Sequence, residues 1–367
     1  MDTSESIRPL TRAVKQQING HPKRYLFIMY KHIKLSILML VSSASILVLG
    51  TVFVAMHKGY DVANAGRFAW QRVEQKKVVF TQINPSVIAS QVQWVGDIQD
   101  QELNESSGLA SSNLSDEVLW SFNDSGDSAR IFALSTTGAA LGQWHINVAN
   151  PTDWEAMDSF VIEGKAYLLL ADVGDNLRWR PFVSVLVVEE PELGSNTGKS
   201  LAPVWQQNFR YPNGPRDCEA VAVDTNRGEI LFLSKRHVPN ELYRIPLEQI
   251  KTVDDTMLVA EKIADIDSIP RLNQGEEGLF GKAAPYMGMP TGMSISGSNL
   301  LVTTLQDAYL LNRGDLSQPA RAIPLPYIGQ REAITFARGS SNRAYVSRER
   351  RNGEEIADIF KVEFALP

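Results

Sequence analysis

The chain has a single cysteine, Cys218, in 367 residues, which excludes an internal disulfide framework. Its plainest reading is a small buried residue rather than a nucleophile. Histidine is scarce as well. Only His145 and His237 lie beyond residue 57, too few for a metal site built on paired imidazoles. There is no basic tract outside the N-terminal region and the net charge is −6, which argues against a nucleic-acid partner. No Gly-x-Ser-x-Gly elbow occurs. The glycines at 275, 278 and 281 have the wrong spacing for a phosphate loop, and Ala283 stands where that loop needs a hydroxyl.

Long apolar runs are also few, and one stands out. Residues 35–56 are 22 consecutive positions without a charge, long enough to cross about 30 Å of hydrocarbon as a helix. Lys23, Arg24, Lys31 and Lys34 precede this run, against Lys58 and Arg67 behind it. That bias places the N-terminus in the cytoplasm and the rest of the chain outside. The run exceeds the apolar core of an ordinary signal peptide, so an uncleaved anchor is expected, with cleavage after Ala65 as the alternative. The chain then divides into a cytoplasmic tail (1–34), an inner-membrane anchor (35–56), a charged linker (57–90) and an extracytoplasmic or periplasmic body (91–367).

Within that body one short phrase recurs five times. An acidic or polar residue precedes Ala or Gly and then an aliphatic: Glu105-Ser-Ser-Gly-Leu109, Asp153-Trp-Glu-Ala-Met157, Asp217-Cys-Glu-Ala-Val221, Met289-Pro-Thr-Gly-Met293 and Gln330-Arg-Glu-Ala-Ile334. After each come a polar turn, a β-rich run, a second turn and another β-rich run, the sequence form of a repeated antiparallel sheet. Second strands are read at 118–122, 167–171, 230–234, 300–304 and 344–347. Third strands are read at 131–134, 182–188, 242–245, 308–311 and 359–362, and outer strands around 144–148, 257–260 and 321–325. The fifth unit ends without a fourth strand, whereas Val92, Trp94, Gly96 and Ile98 alternate with more polar residues upstream of the first unit. A strand there closes the last sheet and removes an exposed edge. The expectation is an all-β, five-bladed β-propeller closed by its N-terminal strand, with a degenerate sixth blade inside residues 268–289 as the alternative.

In a propeller the first strand of each blade lines the axis. Ser107, Glu155, Glu219, Thr291 and Glu332 then form one tier, and Glu105, Asp153, Asp217, Met289 and Gln330 a second, two residues earlier. Six carboxylates (Glu105, Asp153, Glu155, Asp217, Glu219 and Glu332) repel one another unless protons, arginines or a cation intervene. Arg216 and Arg331 are neighbours that could supply that charge. Oxygen ligands favour a hard ion, calcium first and magnesium second. The competing reading is that the phrase residues hydrogen-bond neighbouring blades and only hold the ring together. A second layer comes from the turns, where Asp124, Asp172 and Asp175 alternate with Gly, and where Lys235, Arg236, His237 and Arg348 could border a mouth that receives an anion.

The stretches Glu105-Ser-Ser-Gly-Leu-Ala110, Asn123-Asp-Ser-Gly-Asp127, Asp153-Trp-Glu155, Asp172-Val-Gly-Asp-Asn176 and Asp217-Cys-Glu-Ala220 resemble those of a family of bacterial exported or membrane-anchored β-propeller proteins. The resemblance covers roughly residues 90–365 and implies an architecture rather than a reaction. More distantly, the expected architecture is similar to calcium-activated nucleotidases and to gluconolactonase-type lactonases, which implies an axial metal. Two functions follow as expectations. The first is a calcium-binding module that recruits an envelope protein, a glycan or a small anionic ligand. The second is a calcium-dependent hydrolase of a phosphoester, lactone or other ester.

Overall fold

The computed structural model describes residues 85–194, 200–247, 257–271, 286–326, 331–349 and 357–366, all of them within the second of the chain's two compact units, Ala63–Pro367. Among the described residues no helix is long and apolar enough to cross a membrane, and the expected anchor at 35–56 lies outside them, as does the tail before it.

Five antiparallel sheets form a ring. Blade 1 comprises β3 (Ser106–Ser111), β4 (Val118–Asn123), β5 (Arg130–Ser135) and β6 (Ala140–Ile146), and blade 2 comprises β7 (Trp154–Ile162), β8 (Lys165–Asp172), β9 (Val183–Glu189) and β11 (Trp205–Arg210). Blade 3 holds β12 (Cys218–Asp224), β13 (Glu229–Ser234), β14 (Asn240–Pro246) and β16 (Glu261–Ile266). Blade 4 holds β17 (Pro290–Ser296), β18 (Asn299–Thr304), β19 (Ala308–Asn312) and β20 (Arg321–Ile323). Blade 5 combines β21 (Arg331–Phe336), β22 (Arg343–Arg348) and β23 (Asp358–Phe364) with β2 (Ser90–Asp97) from the other end of the domain. β2 pairs antiparallel with β23 from Ser90↔Phe364 to Asp97↔Asp358, so the ring is closed by the N-terminal strand as the unpaired fifth unit requires. No sixth sheet exists among the described residues.

Three two-residue strands add parallel caps that carry no pattern in the sequence. β10 (Ser200–Leu201) extends blade 1 on β6, β15 (Leu258–Val259) extends blade 2 on β11, and β1 (Ser86–Val87) extends blade 4 on β20. Residues 257–260 therefore do not form the fourth strand of blade 3, as their apolar character suggests, and β16 takes that place. β1 likewise begins inside the stretch expected to be linker. Each cap comes from the chain of the following blade and is only two residues long, too short for side-chain periodicity to show it.

The core is five apolar seams, one between each pair of neighbouring blades. Blade 2 shows how the sequence builds them. Leu168, Leu170, Leu186 and Val188 face blade 1, while Tyr167, Leu169, Ala171, Val185 and Val187 face blade 3. Both faces of the sheet are buried, so β8 reads as an almost unbroken apolar run although its side chains still alternate sides. Aromatic rings anchor the seam between blades 1 and 2, with Trp120 edge-on to Trp144 at 5.2 Å and Phe122 against Trp154 at 5.1 Å.

The innermost strands β3, β7, β12, β17 and β21 contact one another in sequence around the axis. The Gly or Ala of each phrase (Gly108, Ala156, Ala220, Gly292 and Ala333) sits where the strands converge. A Cβ on Gly108 would lie 2.6 Å from the Phe122 ring and 2.9 Å from Met157 Cβ, so this tier is held to small residues by space. The waist it forms leaves about 10 Å³, room for about one water. The axis is therefore two separate mouths rather than a pore.

Candidate metal centre

In every innermost strand the ladder slips by one residue at the same register. β3 pairs Ser106 with Asn123 and then Gly108 with Phe122; β7 skips Glu155, β12 skips Glu219, β17 skips Thr291 and β21 skips Glu332. The skipped residue is the extra position of a β-bulge, a device that re-aims one side chain out of a strand's alternation. The five tier residues read from the phrases are thus the five bulge residues. The bulge also ends the simple alternation that the sequence suggested for the tier before it, since the strands begin at Ser106, Trp154, Cys218, Pro290 and Arg331.

The hydroxyl members of the tier tie blades together. Ser107 Oγ donates weakly to Glu155, at 3.4 Å from Oε2, and Thr291 Oγ1 donates to the Arg331 carbonyl at 2.8 Å. The acidic members are different. Glu155 is 5% exposed, and Glu219 is 4% exposed with Oε2 lacking any hydrogen-bond partner, while its Oε1 ion-pairs with Lys235. Glu332 is half-buried and adds negative charge at both Glu219 and Lys235.

Three carboxylates converge most closely. Asp124, Asp153 and Glu155 each bring an oxygen within 4.8 Å of the others. Asp124 comes from the turn after β4 and the other two from the entry of β7, so two blades build the set. The local reason is a backbone equivalence. Asp124 N donates to Glu105 O at 2.9 Å, Gly174 N to Asp153 O at 3.2 Å and Lys235 N to Asp217 O at 2.8 Å, so these three residues occupy one position in blades 1, 2 and 3. Blade 2 has glycine there, and a Cβ on Gly174 would stand 2.4 Å from Asp153 Oδ2 and 2.6 Å from Glu155 Oε1. The carboxylates fill the space that this side chain would take.

The charges act on one another as their crowding requires. Burial, then Asp124, pushes the Asp153 carboxyl up to about 7, with Arg180 offsetting part of the rise. Glu155 is raised well above the ordinary range by burial, then by Glu219, Asp124 and Asp153. Asp124 is raised chiefly by burial. Burial also raises Glu219, against the pull of the Lys235 ammonium in contact with it. Burial alone would lower Lys235, but Glu219, Glu332, Glu155 and Asp217 together raise it.

Glu349 belongs to the same mouth and is not among the residues singled out from the sequence. It follows Arg348, the partner of Arg331 across the β21–β22 ladder, and its carboxyl is pushed up to about 7 by burial, then by Asp124, Glu105 and Glu219. Its signal in the sequence is positional, the first residue after a second strand, as Asp124 is after β4.

The remaining expected residues are placed elsewhere in the network. Glu105 is exposed, at the rim. Asp217 is ion-paired with Arg236 and accepts the Asp175 N–H at 3.1 Å. Asp172 accepts the N–H groups of Thr152 and Asp153 and pairs with Arg180 at 2.7 Å. In this it corresponds to Asn123, which accepts from Asn104 and Glu105, and not to Asp124 as the Asp-Gly spacing suggested. Asp175 caps its own turn through Trp179 N and Arg180 N. Arg348 pairs with Asp358 at 2.6 Å. His237 lies 3.7 Å from Glu241 and is pushed down to about 4 by burial, then by Arg216. Arg216 is spent on Glu241 at 2.6 Å, and the fully buried Arg331 donates to the carbonyls of Thr304, Gln306 and Pro326. Neither arginine therefore neutralises the cluster as the sequence suggested. Cys218 is buried and accepts a hydrogen bond from Tyr211 Oη at 3.1 Å, so the donors at the mouth are oxygens.

The fold and this mouth define a class: a five-bladed β-propeller with carboxylates at one end of its axis. No family model matches the sequence, and no curated protein matches it. Among solved structures the chain is similar to the PQQ-bound aldose sugar dehydrogenase of Streptomyces coelicolor, at 11% identity and a TM-score of 0.40, over 77% of this chain and 100% of that one. It is also similar to a luciferin-regenerating enzyme, at 8% identity and a TM-score of 0.39 over 75% and 95% of the two chains. The Malassezia sympodialis allergen Mala s 1 gives 12% identity and a TM-score of 0.39 over 73% and 81%. At these values nothing beyond a shared type of fold is compared.

Proposed function

We propose that this chain is a membrane-anchored, calcium-dependent binding module of the cell envelope, with Asp124, Asp153 and Glu155 as the ligands that hold the ion. The observation that carries the reading is the convergence of Asp124, Asp153 and Glu155, whose oxygens lie within 4.8 Å of one another and whose carboxyls are raised by burial and then by neighbouring carboxylates. A divalent cation relieves that repulsion. Calcium is favoured because its six to eight oxygen ligands tolerate an irregular set, while magnesium demands a near-ideal octahedron. Three carboxylates leave coordination positions for an oxygen-rich anionic group on a glycan, a small molecule or an envelope protein, with Lys235 beside it. The apolar run at 35–56 and its basic flank support an inner-membrane anchor with the propeller outside.

A second reading, hydrolysis of a phosphoester, lactone or other ester, is favoured by one observation. Glu349 faces the same mouth with a carboxyl near 7, suited to exchanging a proton at neutral pH. A hydrolase panel with and without calcium separates the two.

Thermal melts of the full-length chain in mild detergent test the cation site. Calcium should raise the wild-type Tm, and Glu155→Gln should abolish most of that gain while leaving the chelated protein no less stable, since a repelling charge is gone. If the residues are only ring ties, chelation changes nothing and Glu155→Gln costs about 1 kcal/mol in either condition.

A further inference from the structure

The mouth at the other end of the axis is built from different chemistry. The C-terminal ends of β3, β7, β17 and β21 enclose an open cup of about 140 Å³ whose lining includes Ser111, Asn113, Ser159, Ser294, Ser296 and Thr335. Most of these hydroxyls have already used their proton. Ser111 Oγ donates to Phe336 O at 2.6 Å, Ser159 Oγ to Ser111 O at 2.5 Å and Ser296 Oγ to Ser340 O at 2.9 Å. Each keeps acceptor lone pairs. A donor is present too: Ser294 Oγ accepts from Phe336 N at 3.1 Å, which leaves its own proton.

Charge is nearly absent from the lining. Asp158 receives the N–H groups of Ser159 at 2.9 Å and Val223 at 2.7 Å, which satisfies both of its oxygens, and the exposed Arg338 pairs with Asp116 at 2.7 Å. A ligand for this surface must donate to the serine oxygens and accept from Ser294 within one small volume. Hydroxyl groups do both at once, whereas an anion would meet spent donors and an apolar ligand would strand the serine oxygens. We propose that this second mouth binds a neutral polyhydroxylated ligand of about one sugar ring, independently of the cation at the acidic mouth.

The test is titration of the full-length chain, in mild detergent with calcium present throughout, against myo-inositol, glucose, galactose and mannose, read by calorimetry. At least one should bind saturably at one site, and Ser294→Ala, which keeps the Ser111, Ser159 and Ser296 ties, should weaken it at least tenfold while leaving the calcium-induced Tm shift unchanged. Ser159→Ala, which removes one acceptor of the cup, gives the same readout if Ser294→Ala does not fold. Absence of saturable binding by all four polyols overturns the proposal. Binding that neither variant weakens overturns it as well, by placing the sugar elsewhere. Methylammonium chloride is the control: binding of this cation without any polyol would mean that Asp158 sets the preference, and would likewise refute it.

Discussion

Gly174 gives the sharpest separation between a metal centre and a structural cluster. Alanine at this position adds one methyl carbon, 2.4 Å from Asp153 Oδ2 and 2.6 Å from Glu155 Oε1. Ordinary contact begins near 3.4 Å, so each carboxylate must retreat by about 1 Å, several times the ~0.2 Å tolerance of a metal–oxygen distance. Both groups are the ends of rotatable side chains, so the fold should absorb the change for roughly 1–3 kcal/mol. Calcium affinity should fall at least tenfold. At a concentration 100 times the wild-type Kd, calcium stabilises the wild type by about 2.7 kcal/mol; a tenfold loss leaves about 1.4 kcal/mol. In a domain of this size that difference is a few degrees of calcium-induced Tm shift, on the order of half the wild-type shift. Differential scanning calorimetry with calcium and with chelator measures it. An unchanged calcium shift in Gly174→Ala would refute the placement of the ion between Asp153 and Glu155.

Three further outcomes are expected. Deleting residues 90–97 removes β2 and leaves β23 with an open edge, so the product should be insoluble, whereas deleting residues 1–75 should give a soluble, cooperatively melting domain; equal behaviour in a solubility assay would remove the closure argument. Asp153 and Glu349 have folded pKa values near 7, above the ordinary carboxylate range. The folded state therefore binds more protons between pH 4 and 7, its stabilisation is complete below that window, and it is lost as pH rises through 7. Denaturant melts with chelator should show a loss on the order of 2 kcal/mol from pH 5 to 8, which calcium offsets. Cys218, fully buried and with its thiol raised by burial, should resist iodoacetamide in the native protein and react once the chain is unfolded, as followed by mass spectrometry.

Much of the ring is legible in the chain because each blade repeats one demand. The Gly or Ala of every phrase is small because five strands converge there, and the residue before it is the bulge. Glu155 and Glu219 could therefore be assigned to the axis from register alone. What escaped the sequence are features set by backbone geometry. The caps β1, β10 and β15 are two residues long, too short for an alternation in Leu258 and Val259 to mark them as part of a neighbouring blade. The turn after β8 carries one more residue than the turn after β4, which moves Asp172 into the role of Asn123 and puts Gly174 opposite Asp124. Glu349 was hidden among arginines, and Arg216 and Arg348 turned to carboxylates inside their own blades while Arg331 turned to backbone carbonyls, since an unpaired buried guanidinium costs more than a surface one.

The cation at the acidic mouth is open to isothermal titration of calcium into the full-length, chelator-stripped chain. One saturable site per chain, lost in Glu155→Gln and weaker for magnesium, is the predicted result. A flat titration with both ions, in protein that melts cooperatively, would contradict it.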